Sequence, residues 1–329
     1  MTGTIAGISS SDLENLMSTL EIDFLNLAEC IVSPGWRLAL NGADVPAIHY
    51  NISGYGRLVL DTLPPIDLAP HTLVILPPRH AFRIEATGGQ ADGSALQTVE
   101  SRMRTFAPGA VRRFVVGEGE PRIMMICGYY SASYGASIDL FSGLTSPIVE
   151  QFDVADGLEQ TLKSALAELL AQEVGMGAMT KALLKQVLVM LLRRSLRSVD
   201  LWAERFSILS DPHIARAFAD MVSEPGAPHT IHSLARSACL SRSAFMARFT
   251  ALFGRAPMAT LRELRMRRAS ALLMSSNLPI QQISRSAGYA SHSSFIRAFR
   301  KAWGSDPSDY RAVKSAPSPQ PPDIVPEPQ

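Results

Sequence analysis

The chain has little that would tie it to an oxidising compartment, a metal or a membrane. Of its 329 residues only three are cysteines: Cys30, Cys127 and Cys239. They are odd in number, far apart and never in CxxC spacing. They therefore supply neither a disulfide framework nor a zinc site, and reduced thiols are the default. Seven histidines are present, and no two of them stand one residue apart. No long hydrophobic run exists. The greasiest stretch, Lys181 to Leu192, is interrupted by Lys185 and Gln186 and is too short to span a bilayer. The first residues, MTGTIAGISSSDLENLM, lack a basic start followed by an apolar run, so no signal peptide is expected. The expectation is a cytoplasmic protein without a membrane partner.

Acidic charge is scarce in one part of the chain only. Residues 1–210 carry 16 Lys/Arg against 22 Asp/Glu, whereas residues 211–314 carry 15 against 6. A basic segment joined to an acidic one points to a polyanionic partner for the basic segment. Apolar residues make up 47% of the chain. The length fits about two domains of roughly 150 residues each.

The basic segment holds a repeat. IHSLARSACLSRSAFMARFTALFGRAP runs from Ile231 to Pro257, and IQQISRSAGYASHSSFIRAFRKAWGSDP from Ile280 to Pro307. Ile231, Leu234, Ala238 and Leu240 match Ile280, Ile283, Ala287 and Tyr289. After one inserted residue, Ser241, Phe245, Phe249, Gly254 and Pro257 match Ser291, Phe295, Phe299, Gly304 and Pro307. Each copy predicts a helix, a tight turn and a second helix. Ser241 and Ser291 are placed as N-caps, and Gly288 suits a positive φ at the second turn. Gly254 and Gly304 suit helix C-termini, with Pro257 and Pro307 in the first turn of the next helix. Asp211–Pro212 predicts the N-cap and N1 of an earlier helix that buries Ile214, Phe218 and Met221. The expected exposed positions of the two second helices are Arg242, Ser243, Thr250, His292, Ser293, Ser294, Arg297, Arg300 and Lys301, with no acid among them. A merely solvated helix mixes signs. Small polar residues with arginine suit entry into a major groove.

LARSACLSRSAFMARFTALFGRAP, LRELRMRRASALLMSS and ISRSAGYASHSSFIRAFRKAWGSDPSDYR together resemble the AraC/XylS family of bacterial transcription regulators, over about Asp211 to Arg311. The resemblance implies two helix-turn-helix units joined by one long helix, here from about Pro257 to Ser275. It implies base-facing residues Ser243, Met246 and Ala247 in the first unit, a set poor in strong donors. In the second they are His292, Ser293, Ile296 and Arg297. Arg297 lies two residues past Phe295 and so points away from the apolar face, where its fork suits guanine O6 and N7. Arg300 and Lys301, further along, are expected at phosphates.

From Trp36 to about Tyr130 the pattern changes to short apolar runs: IHYNIS, GRLVLD, HTLVILP, FRIEA, RRFVV and RIMMICGYY. Many short strands at this spacing predict a sandwich or barrel. GRLVLDTLPPIDLAPHTLVILPPRHAFRI resembles the cupin-type sensor found ahead of AraC-type DNA-binding domains, over about residues 15–150. Catalytic cupins place two histidines one residue apart on a strand. Here His49, His71 and His80 are scattered, so neither metal, cofactor nor catalysis is expected. Trp36, His49, Tyr50, Arg79, His80 and Phe82 are the candidates to line a barrel that holds a small effector. The alternative is a filled barrel that serves as a dimerisation platform. Leu162, Leu166 and Leu169 recur at coiled-coil-like spacing. Leu183, Leu184, Val187, Leu188, Leu191 and Leu192 form a broad apolar surface, open to two readings: a dimer contact or a core helix.

The fold class expected is α+β multidomain: an N-terminal cupin-like β-barrel, helices, then an all-α domain with two helix-turn-helix units. The expected boundaries are 1–155 for the sensor, 156–205 for a helical linker with a dimerisation role, 206–314 for the DNA-binding domain and 315–329 for a Pro-rich disordered tail. The function expected is a dimeric, sequence-specific transcription regulator, an activator or a repressor. Its partners are double-stranded DNA, a small-molecule effector, a second copy of itself and RNA polymerase. The competing classes are a cupin-fold enzyme or metal-binding protein with an attached DNA-binding domain, and a non-specific nucleoid-packing protein.

Overall fold

The computed structural model describes residues 4–5, 8–61, 63–86, 96–101, 110–121, 123–134, 138–141, 144–195 and 211–315. Residues 196–210, the end of the expected linker and the start of the expected DNA-binding domain, lie outside the described residues. So does the Pro-rich tail beyond Ser315. The chain divides into two compact units, Met1–Arg216 and Ala217–Gln329.

The first unit is built from strands. In chain order they are β1 (Thr4–Ile5), β2 (Ile8–Ser9), β3 (Leu20–Val32), β4 (Trp36–Leu40), β5 (Ala47–Gly54), β6 (Gly56–Leu60) and β7 (Leu63–Leu68). Then come β8 (Thr72–Leu76), β9 (Phe82–Ala86), β10 (Gln97–Ser101), β11 (Ala110–Val116), β12 (Ile123–Tyr134), β13 (Ile138–Asp139) and β14 (Ile148–Gln151). A short helix α1 (Ser10–Ser18) precedes β3; α2 (Leu158–Ala171) and α3 (Met176–Ser195) follow β14.

Besides the β1-β2 pair, one sheet runs β11-β3-β12-β5-β8-β14, with β13 paired to β12, and a second β10-β4-β9-β6-β7. Their strand patterns differ because their surroundings differ. In the second sheet β9, FRIEA, alternates buried and half-buried. One face meets the core, and the other carries ion pairs such as Arg37–Glu85 at 3.7 Å and Arg83–Asp61 at 2.9 Å. In the first sheet β8, TLVIL, is buried at every position. A strand covered on both faces reads as a continuous apolar run. Leu38, Leu58, Val74, Ile84, Val32 and Met125 fill the space between the sheets as one core.

α2 and α3 pack on each other, α3 also on β3 and α2 on β11. Leu162 and Leu169 of α2 are buried, as are Leu184, Val187, Leu188, Leu191 and Leu192 of α3; Leu166 and Leu183 are half-buried. The chain itself therefore covers the broad apolar surface, as the core-helix alternative requires. The boundary expected at 155/156 falls within the first compact unit, in which α2 and α3 pack on each other and on β11 and β3.

The second unit is helical. Its elements are α4 (Pro212–Ser223, within which the division between the units falls), α5 (Ile231–Ser237), α6 (Arg242–Phe253) and α7 (Pro257–Ser275). They continue with α8 (Ile280–Ser286), α9 (His292–Trp303) and α10 (Pro307–Ser315). Asp211 caps α4, its Oδ1 accepting from the amides of His213 at 3.1 Å and Ile214 at 3.3 Å. α7 packs against α6 on one side of the repeat and against α8, α9 and α10 on the other.

Candidate nucleic-acid interface

Each copy of the repeat folds by the same local chemistry. Thr230 opens α5 with a capping box: its hydroxyl accepts from the Ser233 amide at 3.0 Å, and the Ser233 hydroxyl from the Thr230 amide at 2.9 Å. α5 closes where the Leu240 amide donates to the Ala235 carbonyl at 2.9 Å; α8 closes where Tyr289 donates to Ser284 at 3.0 Å. The residue before each is left-handed, Cys239 at φ 54° and Gly288 at φ 77°. The first turn tolerates a side chain there because Cys239 is exposed. The second does not: a Cβ on Gly288 would stand 2.6 Å from the Gly226 carbonyl oxygen. Ser241 and Ser291 then cap α6 and α9, accepting from Ala244 at 3.2 Å and Ser294 at 3.4 Å. Gly254 and Gly304 end those helices at φ 66° and 74°, where a Cβ is disfavoured.

The apolar faces fix which way the helices turn. Phe245 and Phe249 are fully buried, the latter's ring 4.4 Å from Phe253. Phe295 and Phe299 are equally buried, with Tyr289 against Phe295 at 5.7 Å and Tyr310 against Phe299 at 5.3 Å. Met266, Ala269 and Leu273 of α7 complete the second core with Ile283 and Ala287.

Burying those rings leaves the opposite faces outward. On α6 Arg242, Ser243, Ala247 and Thr250 are exposed and Met246 half-buried. On α9 His292, Ser293, Arg297, Arg300 and Lys301 are exposed, with Ser294 and Ile296 half-buried. All twelve candidates thus lie on the two capped second helices, off the phenylalanine face. The acids nearby are engaged elsewhere: Glu263 holds Arg255 and, at 3.0 Å, Arg267, and Asp220 accepts from the Ser237 hydroxyl. Among the described residues no carboxylate pairs with Arg242, Arg297 or Lys301; Arg297 reaches only the Ser294 hydroxyl, at 3.5 Å.

Arg300 is different. Its Nε and an Nη donate to both oxygens of Asp306, at 2.8 and 2.6 Å. That hydrogen bond and the guanidinium's charge hold the Asp306 carboxyl below its usual range. The fork expected at phosphate is therefore already occupied, tying the end of α9 to the start of α10. An i,i+6 pair across a helix end has no periodic signature, although Asp306 before Pro307 was a visible cue.

Sequence reasoning also missed Arg265. From α7 its Nε donates to the Pro225 carbonyl and an Nη to that of Ala227, both at 2.8 Å, and its guanidinium lies 5.9 Å from the Tyr289 ring centre. It pins the loop before α5 to the turn between α8 and α9. The candidates also omit Arg248, exposed on α6.

In the first unit the six effector candidates do not converge. His49 and Phe82 meet inside the core, ring centres 4.4 Å apart. Tyr50, the next residue on β5, points to the opposite face because strand side chains alternate. There its hydroxyl bonds His71 Nδ1 at 2.9 Å, and burial followed by the nearby Glu159 and Asp156 raises its phenol. Arg79 turns outward, its Nε 3.7 Å from Asp44, with the side chain 81% exposed. His80 bonds the Pro78 carbonyl and is half-buried, as is Trp36. Beside His49 and Phe82 the described residues leave a void of about 10 Å³, against several hundred for a ligand pocket. A cleft of about 340 Å³ opens instead beside Asp61, Arg83, Glu100 and Asn41, with Phe82 as the one candidate on its wall. Among the described residues no three His, Cys, Asp or Glu side chains converge as metal ligands, and no helix is long and apolar enough to cross a membrane.

Comparison with known proteins agrees with this division of the chain. A cupin family model matches residues 13–197, through both helices after the barrel, and a helix-turn-helix domain model matches 234–312. The chain is 25% identical over 287 residues to the RCS-specific HTH-type transcriptional activator RclR of Escherichia coli, covering 86% of this chain and 90% of that protein. It is 26% identical over 308 residues to a putative AraC-like transcription regulator of Streptomyces antibioticus, covering 91% and 97%. Among solved structures, the DNA-binding domain of AdpA in complex with a target DNA is 32% identical. The match covers 34% of this chain and 99% of that one, with a TM-score of 0.32.

Proposed function

Because the chain belongs to the cupin family over residues 13–197 and carries the helix-turn-helix domain of AraC-type transcription regulators, it is a DNA-binding transcription regulator, and we propose that α6 and α9 are its two base-reading helices. The observation that carries the proposal is the face left outward by the buried phenylalanines: small polar residues and arginine, with no carboxylate on either helix. Arg297 reads guanine, Ser243, Met246, Ala247, His292, Ser293 and Ile296 meet neighbouring base edges, and Arg242, Ser294, Thr250 and Lys301 position the backbone. Arg300 orients the end of α9 through Asp306.

In this reading the protein acts in the cytoplasm as a homodimer, is not an enzyme, and passes a signal from its cupin domain to DNA and RNA polymerase. Leu170, Val174 and Met179, exposed around the turn joining α2 and α3, support the dimer contact. The cleft at Asp61, Arg83 and Glu100 has the size of a small-effector site. Footprinting of the full chain on its own upstream DNA tests the central proposal. Two protected major-groove faces per protomer, about 10 base pairs apart, are expected; protection of one face only would remove one reading helix. A stoichiometric transition metal in the purified protein would instead favour a cupin enzyme.

A further inference from the structure

The two copies of the repeat lie in one compact unit and share a helix: α6 packs on α7, as do α8, α9 and α10. One shared helix fixes how far apart two bodies stand. It leaves them free to roll about its axis. A second attachment, off that axis, removes the freedom.

The loop 224–230 before α5 supplies one half of such an attachment. Pro225 and Pro228 stiffen it. It closes on itself, the Ala227 amide donating to the Glu224 carbonyl at 3.0 Å and the His229 amide to the Ala227 carbonyl at 2.7 Å. Thr230 at its end caps α5, and the Ser237 hydroxyl of α5 donates to Asp220 of α4. The loop therefore moves with the first copy. The turn at Gly288 and Tyr289 supplies the other half. It stands just ahead of Ser291, the cap of α9, and the Tyr289 ring lies 5.7 Å from that of Phe295. The turn therefore moves with α9.

Loop and turn meet backbone to backbone. A Cβ on Gly226 would collide with the Ser286 carbonyl, and one on Gly288 would stand 2.6 Å from the Gly226 carbonyl oxygen. Arg265 closes this contact from α7. Its fork takes the Pro225 and Ala227 carbonyls of the loop, and its guanidinium lies over the Tyr289 ring. The Tyr289 hydroxyl is buried without a hydrogen-bond partner among the described residues, so it is the ring that meets Arg265.

We propose that Arg265 is a positioning residue that locks the rotation of α9 relative to α6 and so makes the protein selective for the spacing of the two DNA elements it reads. The inference rests on the reading of α6 and α9 as the base-reading helices. One base pair inserted between the elements shifts the second by about 3.4 Å and turns it by about 35°. Hydrogen bonds to base edges do not survive such a displacement. A locked pair of helices cannot follow it, whereas a pair free to roll about α7 recovers part of the contact. Lysine cannot replace Arg265 here, because one ammonium does not bridge two carbonyls while lying flat on a ring.

The test uses the full chain and two duplexes: the footprinted site, and the same site with one base pair inserted between the two protected faces. Wild type should lose about tenfold or more in affinity on insertion. Arg265→Met should bind the natural site more weakly, and its loss on insertion should shrink to about threefold or less. Arg265→Lys should relax the spacing in the same way. A residue that only met phosphate would be rescued by lysine and would weaken both duplexes alike when lost. Tyr289→Leu reaches the clasp from the other side, and decides the matter if Arg265→Met fails to fold. Wild-type tolerance of the insertion, or a wild-type ratio in the folded Arg265 and Tyr289 variants, would overturn the proposal. Protection of a single groove face on the natural site would instead count against the base-reading assignment.

Discussion

Replacing His49 with leucine should remove an acid weakness from the N-terminal unit. Burial lowers the pKa of the His49 ring from 6.5 to about 3, because the core desolvates the charged form. The fold therefore keeps the ring neutral while the unfolded chain protonates it below about pH 6.5. Between those two values the unfolded state binds a proton that the native state excludes, so stability falls as the pH drops. At pH 5 the difference spans about 1.5 pH units, or about 2 kcal/mol at roughly 1.4 kcal/mol per unit. In a domain of this size that lowers the unfolding temperature by roughly 4–8 °C. Leucine has a similar volume and no proton to gain. Calorimetry of wild type and His49→Leu, both under reducing conditions at pH 7.5 and 5.0, gives the comparison. His71 and His80 are common to both proteins and cancel. Equal losses between the two pH values in both proteins would refute the argument, and would mean that His49 finds water or a partner on protonation.

Arg297→Ala should lose about 1–3 kcal/mol at the cognate site and relax specificity at one base. Lys301→Ala should weaken all sequences alike and flatten the salt dependence by about one unit. The cognate-to-scrambled affinity ratio separates the two, and an unchanged ratio in the Arg297 variant would leave Arg297 as a positioning charge. Asp306→Asn should release the Arg300 fork and strengthen binding to any duplex, with a steeper salt slope; unchanged binding would show that Arg300 does not reach phosphate even when released. Gly288→Ala should cost about 1–3 kcal/mol, because both its φ of 77° and the Gly226 carbonyl oppose a Cβ. Gly254→Ala, with a similar φ but open space, should cost less in thermal unfolding, and equal costs would remove the role given to the close approach.

The helical repeat was legible because its determinants are local. A serine cap, two phenylalanines four apart, a glycine at the helix end and a proline after it act within one or two turns of the chain. They place α6 and α9, the cap hydrogen bonds and the outward face without reference to anything distant. The strand-rich character of residues 36–130 was legible for the same reason, since runs such as FRIEA and TLVIL carry the period or the continuity that burial on one face or two imposes. What the sequence could not decide was which residues meet across the sheets. His49 and Tyr50 are adjacent in the chain and both suit a barrel interior, yet alternation sends one into the core and the other under α2. Arg300 reads as one more phosphate contact until α10 brings Asp306 against it, and Arg265 as surface charge until the loop at Pro225 folds over it. Caps, turns and periodicity are properties of a few consecutive residues, and the sequence determines them. Pair identities depend on strand register and helix packing, which only the tertiary structure sets.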